Sequence, residues 1–143
     1  GKKVGGCIVR DVTEAMGIND RVQLSEAQIK MQKRINERIM RDGVTILNPA
    51  STYIEAGVLI GRETVIYPGN TFIGNTVIGA SCVIMPNSTF VDTAIGNDTT
   101  VYPGNTFIGN SVVGEGCIIM PNSTFVDASI KKGAVVQSGS YVK

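Results

Sequence analysis

The residues able to do chemistry are few in this chain, and the first fact about them is a gap. Among 143 residues there is no histidine. That excludes nucleophilic sites of the Ser-His-Asp or Cys-His kind and every His-ligated metal site. Three cysteines, Cys7, Cys82 and Cys117, are too few and too scattered for a disulfide framework, and they read as thiols of a reducing cytoplasm. What recurs instead is a pattern with no reactive group beyond a hydroxyl, Thr-x-Ile or Thr-x-Val, at Thr71, Thr89, Thr106 and Thr124. Repeats of this kind build surfaces.

Composition narrows the classes further. Thirteen Lys and Arg against twelve Asp and Glu leave a net charge of +1. That balance argues against a phosphate-driven nucleic-acid partner and against a polybasic membrane anchor. A hydrophobic share of 43% with 17% charged residues is globular. No apolar run approaches the roughly 20 residues of a membrane span, and no signal-peptide pattern opens the sequence. The expectation is a cytoplasmic chain with no nucleic-acid and no membrane partner.

The surface pattern belongs to a repeat. Residues 67–92 return at 102–127 with 21 of the 26 positions identical, a period of 35. A shorter period lies inside it. Large apolar residues fall every six residues from Ile54 through Ile60, Ile66, Phe72, Ile78 and Ile84 to Phe90. One step of five leads to Ile95, and a second separates Phe125 from Ile130. Six residues are too few for a helix pair or a propeller blade; they suit a short strand plus a turn, stacked as a parallel β-helix. Three hexads make one coil, so residues 54–142 predict about five coils, on the order of 20–25 Å long at a rung spacing of about 4.8 Å.

Every third hexad then defines an interior column. Ile54, Phe72, Phe90, Phe107, Phe125 and Val142 form one, which holds all four phenylalanines of the chain. Ile60, Ile78, Ile95, Val113 and Ile130 form the second, and Ile66, Ile84, Val101, Ile119 and Val136 the third. Four residues after each large one the side chain is mostly small, as at Thr64, Asn70, Thr76, Cys82, Ser88, Thr99, Asn105, Ser111, Cys117 and Ser123, where a tight corner has no room for more. Pro68, Pro86, Pro103 and Pro121 pre-set the third corner. Cys82 and Cys117 fall at equivalent places two coils apart, on the order of 9–10 Å, beyond disulfide reach.

Residues 1–43 lack the hexads. Val4–Val9 suits a strand, and Asp11 with Glu14 a capping box for one helical turn ending at Gly17. A helical arm is predicted from about Asp20 to Asp42, stopped by Gly43. Leu24, Ala27, Met31, Ile35 and Ile39 make its apolar stripe, while Lys30, Lys33, Arg34, Glu37, Arg38 and Arg41 solvate the rest. The organisation expected is a remnant at 1–19, the arm at 20–43 and the β-helix at 44–143.

The run Gly17-Ile18-Asn19-Asp20-Arg21-Val22-Gln23-Leu24, with Lys33-Arg34-Ile35-Asn36, Asp42-Gly43-Val44-Thr45 and Thr52-Tyr53-Ile54-Glu55-Ala56, resembles one family. It is the bifunctional N-acetylglucosamine-1-phosphate uridyltransferase/glucosamine-1-phosphate acetyltransferase. The resemblance implies a nucleotidyltransferase domain that makes UDP-N-acetylglucosamine, a peptidoglycan precursor, then a helical arm and a left-handed β-helix that trimerises and, further along, binds acetyl-CoA. By that resemblance the chain holds the tail of the first domain, the arm and the first coils. The family's Gly-rich nucleotide loop does not occur before Gly17, and the histidine that serves its acetyl transfer as general base is missing. One position carries over: Asn19 matches the asparagine that helps hold Mg²⁺ at the uridyl-transfer site. Capping of the arm by Asn19 or Asp20 accounts for the same residues without a metal.

The function expected is thus structural, with no catalytic residue and no substrate-binding residue in this chain. Its outward side chains would form a homotrimer interface of Val65, Tyr67, Val83, Met85, Tyr102, Ile118 and Met120. A second face would present Thr71/Ile73, Thr89/Val91, Thr106/Ile108 and Thr124/Val126. Such apolar ladders are poorly suited to exposure on a monomer, and packing about a threefold axis would cover them. The alternatives are an acyltransferase of the hexapeptide type, against which the missing histidine stands, and a surface-binding protein using the threonine ladder as ice-binding β-helices do.

Overall fold

The computed structural model describes residues 20–143. The expected strand at Val4–Val9, the helical turn ending at Gly17, Cys7 and Asn19 all lie outside the described residues.

Among the described residues an α-helix, α1, spans Arg21–Arg41. It begins where Asp20 leaves the coil: the Asp20 carboxylate accepts a hydrogen bond from the Gln23 backbone N–H at 2.9 Å, satisfying one of the donors a helix start leaves open. It ends at Gly43, whose φ of 103° reverses the chain, with Arg38 and Arg41 in the last turn where the helix dipole favours cations. Two compact units divide the chain, Gly1–Arg34 and Ile35–Lys143. In the first, Ala27 is buried, Leu24 and Met31 are half-buried, and Lys30, Lys33 and Arg34 are exposed. Ile35 and Ile39 are buried in the second unit, completing the predicted stripe, and of the flank there Arg38 and Arg41 are exposed while Glu37 is half-buried.

That second unit is a left-handed parallel β-helix of about five turns, built of strands two or three residues long. Its strands sort into three parallel sheets. The first stacks Thr45–Ile46, Val65–Ile66, Val83–Ile84, Thr100–Val101, Ile118–Ile119 and Val135–Val136. The second stacks Tyr53–Ile54, Thr71–Ile73, Thr89–Val91, Thr106–Ile108, Thr124–Val126 and Tyr141–Val142. The third stacks Leu59–Ile60, Val77–Ile78, Ala94–Ile95, Val112–Val113 and Ser129–Ile130.

The register reproduces the three predicted columns. Ile54 stands over Phe72, Phe72 over Phe90, Phe90 over Phe107, Phe107 over Phe125 and Phe125 over Val142. Because like residues repeat at each rung, the rings stack nearly parallel, with centroids 4.9, 5.0 and 4.5 Å apart and interplanar angles of 5–7°. Each such pair contributes about 0.5–1.5 kcal/mol beyond the area it buries. All four rings are fully buried.

The small corner residues are buried as expected, and the structure gives a second reason for them. A tight corner turns backbone N–H and C=O groups inward, where no water reaches them. Thr64 Oγ1 donates to the Gly79 carbonyl and accepts from the Cys82 N–H, at 2.8 and 3.1 Å. Ser123 Oγ does the same between the Gln137 carbonyl and the Ser140 N–H, both at 3.0 Å. The cysteines substitute for hydroxyls: Cys82 Sγ donates to the Gly96 carbonyl and Cys117 Sγ to the Lys131 carbonyl.

Asn36 ties the last turns of α1 to the first coil. It is buried, and its Nδ2 donates to the carbonyls of Pro49 and Thr52 at 3.0 and 3.3 Å, holding the 3-10 turn Pro49–Ser51. Replacing Phe90 by alanine removes a ring from the middle of the stack. It should cost about 3–5 kcal/mol, read as a lower urea midpoint, whereas Val77→Ala at an exposed site should cost under about 1 kcal/mol.

Candidate interaction face

The parallel register brings the predicted interface residues into one ladder. Val65 stands over Val83, Val83 over Thr100, Thr100 over Ile118 and Ile118 over Val135, all on the outer side of the first sheet. One residue further from each interior position come Tyr67, Met85, Tyr102 and Met120, each donating its backbone N–H to the next coil at 2.9–3.0 Å. Each rung of this face therefore offers two outward side chains. Ile118 is 40% exposed, and Val65, Tyr67, Val83, Met85, Tyr102 and Met120 are half-buried by their rung neighbours.

The second sheet presents its threonines in register, Thr71 over Thr89, Thr89 over Thr106 and Thr106 over Thr124. Ile73, Val91, Ile108 and Val126 run beside them, and Ile108 is the most open of these. At the start of this face Tyr53 lies near Glu55; burial, reinforced by the charge and hydrogen bond of that carboxylate, pushes its phenol above the ordinary tyrosine range.

The structure adds a third apolar ladder, which the sequence pattern does not single out. Leu59, Val77 and Val112 on the third sheet are 64%, 42% and 51% exposed, with Ala94 between them in register. A signal for it exists, since each directly precedes an interior residue of the second column. This face is narrower than the others. A Cβ added at Gly79 or Gly114, on the other side of the interior residue, would run into backbone of the next coil. The rungs closed by Gly61, Gly79, Gly96 and Gly114 therefore have room for one outward side chain each.

Reactive groups are scarce on all three faces. Among the described residues no group of three or more His, Cys, Asp and Glu could hold a metal ion. Asn19, the position linked to Mg²⁺ by resemblance, lies outside the described residues, and its neighbour Asp20 spends a carboxylate oxygen on the helix cap. The described residues therefore do not make up a magnesium site. A cleft of about 490 Å³ lies between the end of α1 and the third sheet. Arg38 and Asp42 stand at it over Val58, Leu59 and Ile60, without a nucleophile. No helix of the described residues is long and apolar enough to cross a membrane.

Comparison with known proteins agrees with this geometry. The bacterial transferase hexapeptide family model (six repeats) matches residues 92–127. The chain is 56% identical over 82 residues to the bifunctional protein GlmU of an Exiguobacterium species, covering 57% of this chain and 18% of that protein. It is 53% identical over 95 residues to the bifunctional protein GlmU of Lactobacillus delbrueckii, covering 66% of this chain and 21% of that protein. The chain thus spans about a fifth of the length of these curated relatives. Among solved structures, a point mutant of perosamine N-acetyltransferase from Caulobacter crescentus, in complex with CoA and GDP-perosamine, matches with a TM-score of 0.53. It is 14% identical, and the match covers 77% of this chain and 59% of that one. At that identity the match shows the shared fold. The sequence matches show that the chain is similar to GlmU proteins over the aligned segment, in agreement with the resemblance of its motifs.

Burial pushes the Cys82 thiol above its ordinary range, although its hydrogen bonds to backbone and Thr64 act the other way. A thiol held neutral and out of solvent is a poor nucleophile. In a Cys7→Ser variant, a colourless-to-yellow thiol reagent at neutral pH should leave Cys82 and Cys117 unmodified in the native protein and titrate both in denaturant. Rapid native labelling would contradict the burial.

Proposed function

We propose that this chain serves as the arm and a trimerising β-helix segment of a UDP-N-acetylglucosamine-forming sugar-phosphate nucleotidyltransferase, and that alone it catalyses neither half-reaction of such an enzyme. The observation that carries the reading is the 53% identity to the GlmU protein of Lactobacillus delbrueckii, which runs for 95 residues. Random agreement among hexapeptide repeats does not supply that level: the solved acetyltransferase that shares the fold agrees at 14%.

The outward residues of the first sheet support a trimer. Two outward side chains per rung over several rungs make the first face broad, flat and mostly aliphatic or aromatic. Contiguous apolar surface of more than a few hundred Å² is uncommon on a monomer. Closed symmetry about a threefold axis lets each copy bury this face against a neighbour, and a straight ladder suits it because every rung then repeats the contact of the last. Val65, Tyr67, Val83, Met85, Tyr102, Ile118 and Met120 are the contact residues in this reading. In this reading acetyl-CoA and sugar phosphate are bound by other parts of the enzyme, and Asn19 is the residue of this chain with a place at its Mg²⁺ site. The reduced thiols fit a cytoplasmic setting.

Light scattering on a sizing column tests the reading. The chain is 15.1 kDa, and the native protein is expected at about three times that mass across a concentration series. Met85→Lys with Ile118→Lys should return it to the monomer mass with the far-ultraviolet circular dichroism unchanged, since both side chains point outward. A native protein that stays monomeric at every concentration would sink the trimer and make the threonine ladder the next face to assay, by thermal hysteresis.

A further inference from the structure

The coils of this solenoid are not equivalent, and their differences alternate. Between the second and third sheets the chain takes six residues from Phe72 to Ile78 and from Phe107 to Val113, but five from Phe90 to Ile95 and from Phe125 to Ile130. The longer corners carry Gly74 and Gly109, at φ of 72° and 70°. The shorter ones carry Asp92 and Asp127, at φ of 52° and 48°, a left-handed conformation that few residues other than glycine tolerate.

Each short corner clasps the long corner before it. Asp92 Oδ1 accepts the Asn75 N–H at 2.8 Å, and Asp127 Oδ1 accepts the Asn110 N–H at 3.0 Å. The carboxylate occupies the space where a Cβ on Gly74 or Gly109 would stand, so each aspartate requires a glycine opposite it. The third corner alternates in the same phase. Asn87 and Asn122 fill the space beside Gly69 and Gly104. Inside that corner, Asn70 Oδ1 accepts the Ser88 N–H and Asn105 Oδ1 the Ser123 N–H, both at 2.9 Å.

The next interface is chemically different. There a hydroxyl replaces the amide: Ser88 Oγ accepts the Asn105 N–H at 3.1 Å, and Ser123 Oγ accepts the Ser140 N–H at 3.0 Å. Two kinds of coil–coil contact therefore follow one another: one in which Asn and Asp side chains join the hydroxyls of Thr76 and Ser111, and one made by hydroxyls without them. The 35-residue sequence period is the length of one such pair.

We infer that the coil pair, and not the coil, is the unit by which this solenoid can be lengthened or shortened. Removing 68–102 joins Tyr67 to Pro103, reproducing the native Tyr102–Pro103 junction. Gly109 then takes the place of Gly74, whose N–H is held by Glu55 Oε1 at 2.8 Å, and the clasp with Asp127 is kept. Removing only 86–102 joins Met85 to Pro103, as smooth a junction, and leaves every interior column filled. It nevertheless sets Gly109 against Gly74, Gly104 against Gly69 and Asn105 against Asn70. Asn75 loses the Asp92 carboxylate, and the Ala80 N–H loses the Asn97 side-chain oxygen that it now meets at 2.8 Å. Stability in repeat proteins is close to a sum of unit terms and neighbour terms. Here the neighbour term decides between the two deletions.

The test compares the two shortened chains by thermal and urea melts followed by circular dichroism. The chain lacking 68–102 should melt in one cooperative transition, at a higher midpoint than the chain lacking 86–102, although it has lost twice as many coils. Equal midpoints, or a higher one for the single-coil deletion, would overturn the inference. If neither shortened chain folds, the same comparison is made by insertion. A chain with a second copy of 68–102 should then melt above one with a second copy of 86–102, and the opposite order or a tie overturns it.

Discussion

Each interior side chain of this solenoid stacks on its counterpart one rung away, at a separation dictated by the parallel backbone ladder. The Phe72–Phe90–Phe107–Phe125 stack, with centroids 4.5–5.0 Å apart, shows how closely side-chain packing and backbone pairing agree. A rung spacing of about 4.8 Å lets aromatic rings lie nearly parallel without a gap. A Leu or Trp in the middle of such a column would need to find room that its neighbours do not leave. The prevailing six-residue period suits this constraint, and the five-residue steps from Phe90 to Ile95 and from Phe125 to Ile130 are absorbed at the corner, so that each column still returns to its own line.

The constraint also sorts the polar residues. Corners turn backbone groups inward, and only small side chains with a donor and an acceptor can satisfy them there. Thr64, Thr76, Ser88, Ser111 and Ser123 each reach backbone of a neighbouring coil. Asn36 solves the same problem at the start of the first coil, where no preceding rung exists to accept its turn. It carries two carbonyl bonds inside a buried environment. A helix residue thereby takes the part that a corner residue plays elsewhere.

Much of this is legible in the sequence because the period is strict. The three columns, the small corners, the prolines and the helix bounds can all be read from spacing alone. Asn36 cannot: it lies on a helix whose apolar stripe explains its neighbours, and nothing local marks one polar residue as facing inward. The clasp of Asp92 on Gly74 is hidden for a different reason. Aspartate after a strand reads as an ordinary turn residue, and its partner is 18 positions earlier in the chain. The ladder of Leu59, Val77 and Val112 is faint because an interior residue flanked by two apolar neighbours advertises a face, and the glycines beside these three allow only one. Of the proposed interface, the alignment of its residues is legible, since alternation along a strand places them outward.

Hydrogen bonding between coils has a mechanical corollary. Almost every interstrand bond links one coil to the next and so points along the stack, while within a coil the chain is joined only by covalent bonds and turns. Tension applied at the last coil, parallel to the stack, would load the bonds of one junction at a time. The material would give way by peeling, in discrete steps and at modest force. Compression or bending would instead press each ring against its neighbours. A body built this way is stiff as a strut and weak as a tether.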